Sequence, residues 1–283
     1  MNRPGCDMRI ALLDFNNGYP NQGVGNIHAI VQRYAAENGL RLDVDVFDVR
    51  RRHEVPDLSY HVYLSSGGPG SPLDESASVG EVRYFKLIGD LVAHNDGALP
   101  ADRKFAFFIC HAFQLACKYF KVGTLSRRKS AAFGALPVHK TLPGRSDGVF
   151  AALPDPFYAI DSREWQVVAA DTGRLRTSGM DILAIEKERP HIPLERAVMA
   201  VRFSPEMVGT QFHPEADAEG MRTHLLAAGR KSQVVQQYGA AKYHDMLQCL
   251  QDSTKIARTQ RAVLPAFLDA ARQARNERQG AVV

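Results

Sequence analysis

The stretch FFICHAFQLACKYF (residues 107–120) opens with apolar residues of strand type, passes through Cys110 and His111, and continues with apolar residues at helical spacing. It predicts a sharp strand-to-helix turn with a thiol at the joint. There a sulfur sits at a helix N-terminus, where free backbone N–H groups and the helix dipole favour a thiolate and a nearby oxyanion. A thiol so placed is either a nucleophile or one more buried cysteine, since unpaired cysteine is among the most buried residue types. The stretch alone leaves both readings open.

Outward from that joint, RIALLD (9–14), DVDVFD (43–48), HVYLSS (61–66) and KFAFFI (104–109) read as strands, with helical patterns over 25–38 and 79–95. The alternation predicts an α/β fold, a mostly parallel sheet with helices on both faces. In such sheets ligands bind beyond the carboxyl ends of the strands. Three of these strands lead into NNGYPNQGVGN (16–26), GGPGSP (67–72) and Cys110. The first loop enters a helix through glycines but fits neither dinucleotide-binding nor P-loop spacing, so an unusual backbone path explains it better than phosphate binding.

From about 130 to 212 the texture changes to short runs: AAFGALPVHK, GVFAAL, PFYAID, WQVVAA, DILAIEK, AVMAVRF and VGTQF. They predict an antiparallel insert followed by a return to the main sheet. A helix is expected over 221–228, then a tail of two or more helices over 231–277, with Pro265 marking a helix start. The expected division is a catalytic domain of residues 1–230 and a helical C-terminal extension of residues 231–283.

A chain of 283 residues, 45% hydrophobic and 23% charged, can bury a substantial core without staples. It has no run of about 18 apolar residues, and its first residues lack the long apolar stretch of a leader, so a cytoplasmic, membrane-free protein is expected. The formal charge of +4 comes from dispersed basic residues without interleaved aromatics, which argues against a nucleic-acid surface. Cys6, Cys110, Cys117 and Cys249 have neither the number nor the spacing of a disulfide or zinc framework. No metal or organic cofactor is expected.

A cysteine attacks only as thiolate, so it needs a base, and the base needs orienting. VGTQFHPEAD (208–217) supplies both residue types: His213 and Glu215, one residue apart at a strand end, project to the same side, so the carboxylate is able to orient the imidazole and stabilise its charged form. His111 adjoins the cysteine but points differently, and its side chain reads as pocket wall or structural. Cys117, two helical turns after Cys110, reads as core packing.

SGGPGS (66–71), CHAFQ (110–114) and QFHPE (211–215), in that order and together with a looser KSAAFG (129–134), resemble the class I, or triad, glutamine amidotransferases, especially GMP synthase glutaminase domains. The resemblance spans residues 9–228 and implies their flavodoxin-like fold. It implies that Cys110 attacks the side-chain amide of L-glutamine, that His213 moves the proton, and that Glu215 orients His213. The Gly68 and His111 N–H groups would form the oxyanion hole, and Gln114 would help bind substrate. Ammonia would go to a separate synthase.

Two segments depart from the family pattern. Phe108 and Ala112 stand where glycines usually flank the cysteine. Ser162 and Arg163 stand where a Ser-His segment often contacts glutamine, so Arg163 is either a partner for a substrate carboxylate or a surface arginine. These departures keep open a homoserine O-acyltransferase-like acyl transfer, hydrolysis of another gamma-glutamyl amide, and a non-catalytic regulatory module. The amphipathic tail is expected to pack on its own domain or to form a homodimer.

Overall fold

The computed structural model describes residues 5–19, 22–73, 78–191, 193–227 and 229–280. Pro20 and Asn21 of the first loop, Ala228 at the end of the expected 221–228 helix, and the first and last residues of the expected domains lie outside these. The first half of the chain runs β1 (Met8–Asp14), α1 (Gly23–Asn38), β2 (Leu42–Asp48), β3 (Val62–Ser65), α2 (Val79–Gly97), β4 (Phe105–Ile109) and α3 (His111–Tyr119). It continues through β5 (Thr124–Lys140), α4 (Leu142–Ser146), β6 (Phe157–Val168), α5 (Thr172–Thr177), β7 (Asp181–Glu186), β8 (Val198–Ser204) and β9 (Met207–Thr210). Four helices close it: α6 (Ala218–Leu226), α7 (Arg230–Tyr238), α8 (Ala240–Gln251) and α9 (Ser253–Gly280).

Among the described residues the strands form one sheet in the order β2-β1-β3-β4-β9-β8-β7-β5-β6. From β2 to β9 neighbours are parallel, and from β9 to β6 they are antiparallel. The insert therefore does return to the main sheet, through β9 beside β4. Strands covered on both faces read as nearly continuous apolar runs, and residue parity assigns the faces. Ile10, Leu12, Val62, Leu64, Phe105, Phe107 and Ile109 join α1 and α9 in one core. Ala11, Leu13, Tyr63, Ala106 and Phe108 join α2 and α3 in the other, where Cys117 is buried as expected. A third cluster packs α6, α7 and α8 against Ala135 and Ile160 of β5 and β6.

Three expectations change. GVFAAL forms a turn, because the Asp147 carbonyl accepts from the N–H groups of Phe150 and Ala151 while its side chain accepts from that of Val149; the apolar residues still reach the core. PFYAID and WQVVAA belong to one strand, β6, whose central polar residues include the buried pair Asp161 and Arg163. Pro265 lies inside α9 rather than at its start. An interior proline costs about 3 kcal/mol, and the burial of Val263, Leu264, Phe267 and Leu268 around it offsets that cost.

Candidate active site

The carboxyl ends of β4, β3 and β9 converge. At the first, Cys110 joins strand to helix with φ 50° and ψ −99°, a left-handed backbone that a residue with a β-carbon adopts only when its surroundings enforce it. Here the Cys110 N–H donates to the Thr210 carbonyl of β9 at 2.8 Å, and the Cys110 carbonyl accepts from the Gln114 N–H at 3.0 Å. Phe108, two residues earlier, is buried beside Phe203 and lies opposite Gly209 in the β4–β9 register. A β-carbon on Gly209 would meet Phe113 at 2.8 Å, Phe203 at 3.1 Å and Phe108 at 3.2 Å. The space lacking at residue 108 is thus provided across the strand pair by Gly209.

Beyond β9 the chain holds His213 against β6, its N–H donating to the Ile160 carbonyl at 2.8 Å. The His213 Nδ1 pairs with Glu215 Oε1 at 2.8 Å, which fixes Nδ1 as the protonated nitrogen when the ring is neutral. Burial disfavours the charged ring, but the Glu215 and Cys110 charges outweigh it and hold the His213 pKa well above its ordinary value. Glu215 is 2% exposed, and its carbonyl accepts from Gln260 of α9.

Gly67 explains how Cys110 and His213 share a wall. A β-carbon there would stand 2.7 Å from His213 Cε1 and 3.2 Å from Cys110 Cβ. At Gly68 it would collide with the Phe15 carbonyl oxygen. Neither the Gly68 N–H nor the His111 N–H has an acceptor among the described residues. The His111 side chain turns away from the sulfur: it is 1% exposed, 3.7 Å from Glu81 Oε1, and burial lowers its pKa.

Gln114 donates to the Trp165 carbonyl at 3.3 Å and to Gln211 Oε1 at 3.0 Å. Gln211 in turn directs its own amide nitrogen at Cys110 Sγ, 3.7 Å away. In the sequence Gln211 carries no signal beyond standing two residues before His213, the spacing that keeps side chains on one side of a strand. The Ser162 carbonyl lies 3.9 Å from Cys110 Sγ, so Ser162 meets the sulfur through its backbone.

Arg163 is neither a surface arginine nor free to receive a substrate carboxylate. Its side chain is 1% exposed; Nε pairs with both oxygens of Asp161 at 3.0 Å and Nη1 donates to the Trp165 carbonyl. With Arg128 and Glu186, 2.8 Å apart, it forms a buried ion cluster, and the sequence could not show this because the partners come from β5 and β7. Among the described residues no group of three or more metal-ligating side chains gathers, and no helix is long and apolar enough to cross a membrane.

The same fold occurs in a glutamine amidotransferase from Thermotoga maritima, 14% identical, with a TM-score of 0.67 over 94% of this chain and 99% of that one. It occurs also in the glutaminase domain of Trypanosoma brucei CTPS with bound acivicin, 14% identical, with a TM-score of 0.55 over 93% and 94% of the two chains. A putative GMP synthase protein from Thermoplasma acidophilum, 14% identical, gives a TM-score of 0.55 over 96% and 98%. No curated protein sequence matches the chain. The model of the class-I glutamine amidotransferase family, however, matches residues 21–231, which is most of the sequence, and the chain belongs to that family.

Proposed function

We propose that the protein is a cytoplasmic glutaminase that hydrolyses the side-chain amide of L-glutamine through a thioester on Cys110 and supplies the ammonia to a separate synthase. The observation that carries this reading is the 2.8 Å His213–Glu215 pair beside a cysteine held at a left-handed strand-to-helix turn. The Cys110 thiol gives its proton to His213, whose raised pKa favours the transfer, and the sulfur then adds to the amide carbon as thiolate. The amide oxygen takes the negative charge, and the N–H groups of Gly68 and His111, without acceptors among the described residues, suit that charge. When the C–N bond breaks, His213 returns the proton to nitrogen and ammonia leaves. Water, deprotonated by His213, then adds to the thioester carbonyl, and collapse releases glutamate and restores the thiol.

Glu215 holds the ring in one tautomer and stabilises its charged form through both halves of the cycle. Gln114 and Gln211 form a hydrogen-bonded pair on the sulfur's side of the site, with the Gln211 amide nitrogen 3.7 Å from Cys110 Sγ, which supports a part for Gln114 in binding the substrate beside the sulfur. None of these steps requires a metal or an organic cofactor.

The test is release of ammonia and glutamate from L-glutamine by the purified protein beside Cys110→Ala. Equal amounts of the two products from the wild type and none from the variant are expected. Turnover that survives in Cys110→Ala would place the nucleophile elsewhere and overturn the assignment.

A further inference from the structure

The loop that carries Gly68 is held by two cations. Arg50, in the β2–β3 connection, donates through Nη1 to the Pro69 carbonyl, and its Nε lies 3.8 Å from Glu81 Oε1. Glu81, in the first turn of α2 and 6% exposed, faces His111 on its other side at 3.7 Å. Gly70 accommodates the guanidinium: its φ is 107°, and a β-carbon there would come within 3.1 Å of Arg50 Nη2. At the far end of the loop, Lys118 of α3 donates to the Pro72 carbonyl at 3.2 Å.

We infer that Arg50 is a positioning residue for the oxyanion site, tying the Gly68 loop to α2 and, through Glu81, to His111, so that the two N–H donors keep one spacing. This rests on the glutaminase reading. Gly67 and Gly68 are required by close contacts with His213 and with the Phe15 carbonyl, and Gly70 by its backbone angle, so the loop is rich in residues that add conformational freedom. An oxyanion donor tolerates little of it: a misplacement of about 1 Å costs on the order of 100-fold in rate. A guanidinium restricts the loop because its planar fork binds a carbonyl and a carboxylate together, which a lysine ammonium does less well.

The test compares Arg50→Ala and Arg50→Lys with Arg83→Ala, a control that loses a contact to the His53 carbonyl but none to the loop. Amide hydrogen exchange is read for a peptide covering residues 65–73, alongside glutamine turnover and iodoacetamide alkylation of Cys110. In Arg50→Ala that peptide should exchange about fivefold faster or more while sheet and α3 peptides keep their rates. The kcat should fall about 10- to 100-fold with KM within about twofold. Alkylation, which forms no oxyanion, should stay within about threefold of the wild-type rate. Arg50→Lys should fall between, and it carries the same comparison where Arg50→Ala does not fold. Unchanged exchange over 65–73 would overturn the clamp, and faster exchange with unchanged kcat would overturn its catalytic consequence. Loss of alkylation in parallel with turnover would reduce Arg50 to general support. A wild type that releases no ammonia would overturn the glutaminase reading and with it the catalytic half of this inference, and the exchange comparison would still decide whether Arg50 holds the loop.

Discussion

A methyl group at residue 67 separates catalysis from stability. In Gly67→Ala the added carbon would meet the edge of the His213 ring at 2.7 Å, a side-chain group able to swing, and Cys110 Cβ at 3.2 Å, a contact that a shift of a few tenths of an ångström relieves. Turnover should fall about 100-fold or more, as expected for a displaced base, while the thermal midpoint stays close to wild type; an unaltered kcat would show that the ring's observed position is not the working one. Gly68→Ala should lose both, because its β-carbon would meet a backbone carbonyl. His213 makes a prediction in pH. Its folded pKa is raised, so the stability contributed by the charged ring is fully present below about pH 6.5 and lost as pH rises through the folded value. Urea unfolding free energies should therefore decline upward from that pH, and Glu215→Gln should flatten the decline; identical slopes in the two proteins would count against the pair. The His213–Glu215 contact was legible in the H-P-E spacing, and the turn at Cys110 in the change of period around it. Gln211 and Gly67 were in view without their roles, because spacing gives the side a residue faces and not the atom it meets. Arg50 and Glu81 left no local signal, since their contacts join separate segments.

At the scale of elements, the exchange of bulk between Phe108 and Gly209 is the clearest case of one strand answering another. The sequence showed only a missing glycine before the cysteine. The compensating glycine lies on the partner strand, which no reading of the 107–120 stretch alone could identify. Gly209→Ala would press on Phe108, Phe113 and Phe203 and should cost about 1–3 kcal/mol in denaturant unfolding. Trimming Phe108 to alanine should cost about 3–5 kcal/mol by itself. Because the two residues share one space, the double variant should cost less than the single variants predict together. Strict additivity would mean that the contact is not what sets the packing. The parallel strands were readable because both faces are covered and their apolar runs are continuous. β6 reads as two strands because Ser162, Arg163 and Glu164 look like a polar break, whereas Ser162 and Arg163 stay in the ladder opposite Phe133 and Ala132, with Arg163 buried beside Asp161, and the register shifts only at Glu164.

For the whole molecule the question is where the domain ends. The family match stops at residue 231, and the sequence suggested an extension from there on, yet one of the two cores flanking the sheet crosses that boundary. The spacing of Val263, Leu264, Phe267 and Leu268 showed that the segment must bury an apolar face; it could not show that the surface covered is this chain's own sheet, beside α1. Each of the four is at most 1% exposed, and each such burial contributes about 1.5–3 kcal/mol, large against the typical net stability of about 5–15 kcal/mol. α9 also reaches the site, through Gln260 on the Glu215 carbonyl and Thr259 on that of Tyr158. A chain ending at Asp252 should therefore lack cooperative thermal unfolding and near-ultraviolet circular dichroism, instead of yielding a free catalytic domain. Phe267→Ala should cost about 3–5 kcal/mol while leaving the fold intact. A truncated chain that melts cooperatively and still turns over glutamine would make α9 a dispensable cover and return the boundary to residue 231. Cooperative melting without turnover would confine the role of α9 to holding the turn that carries Glu215.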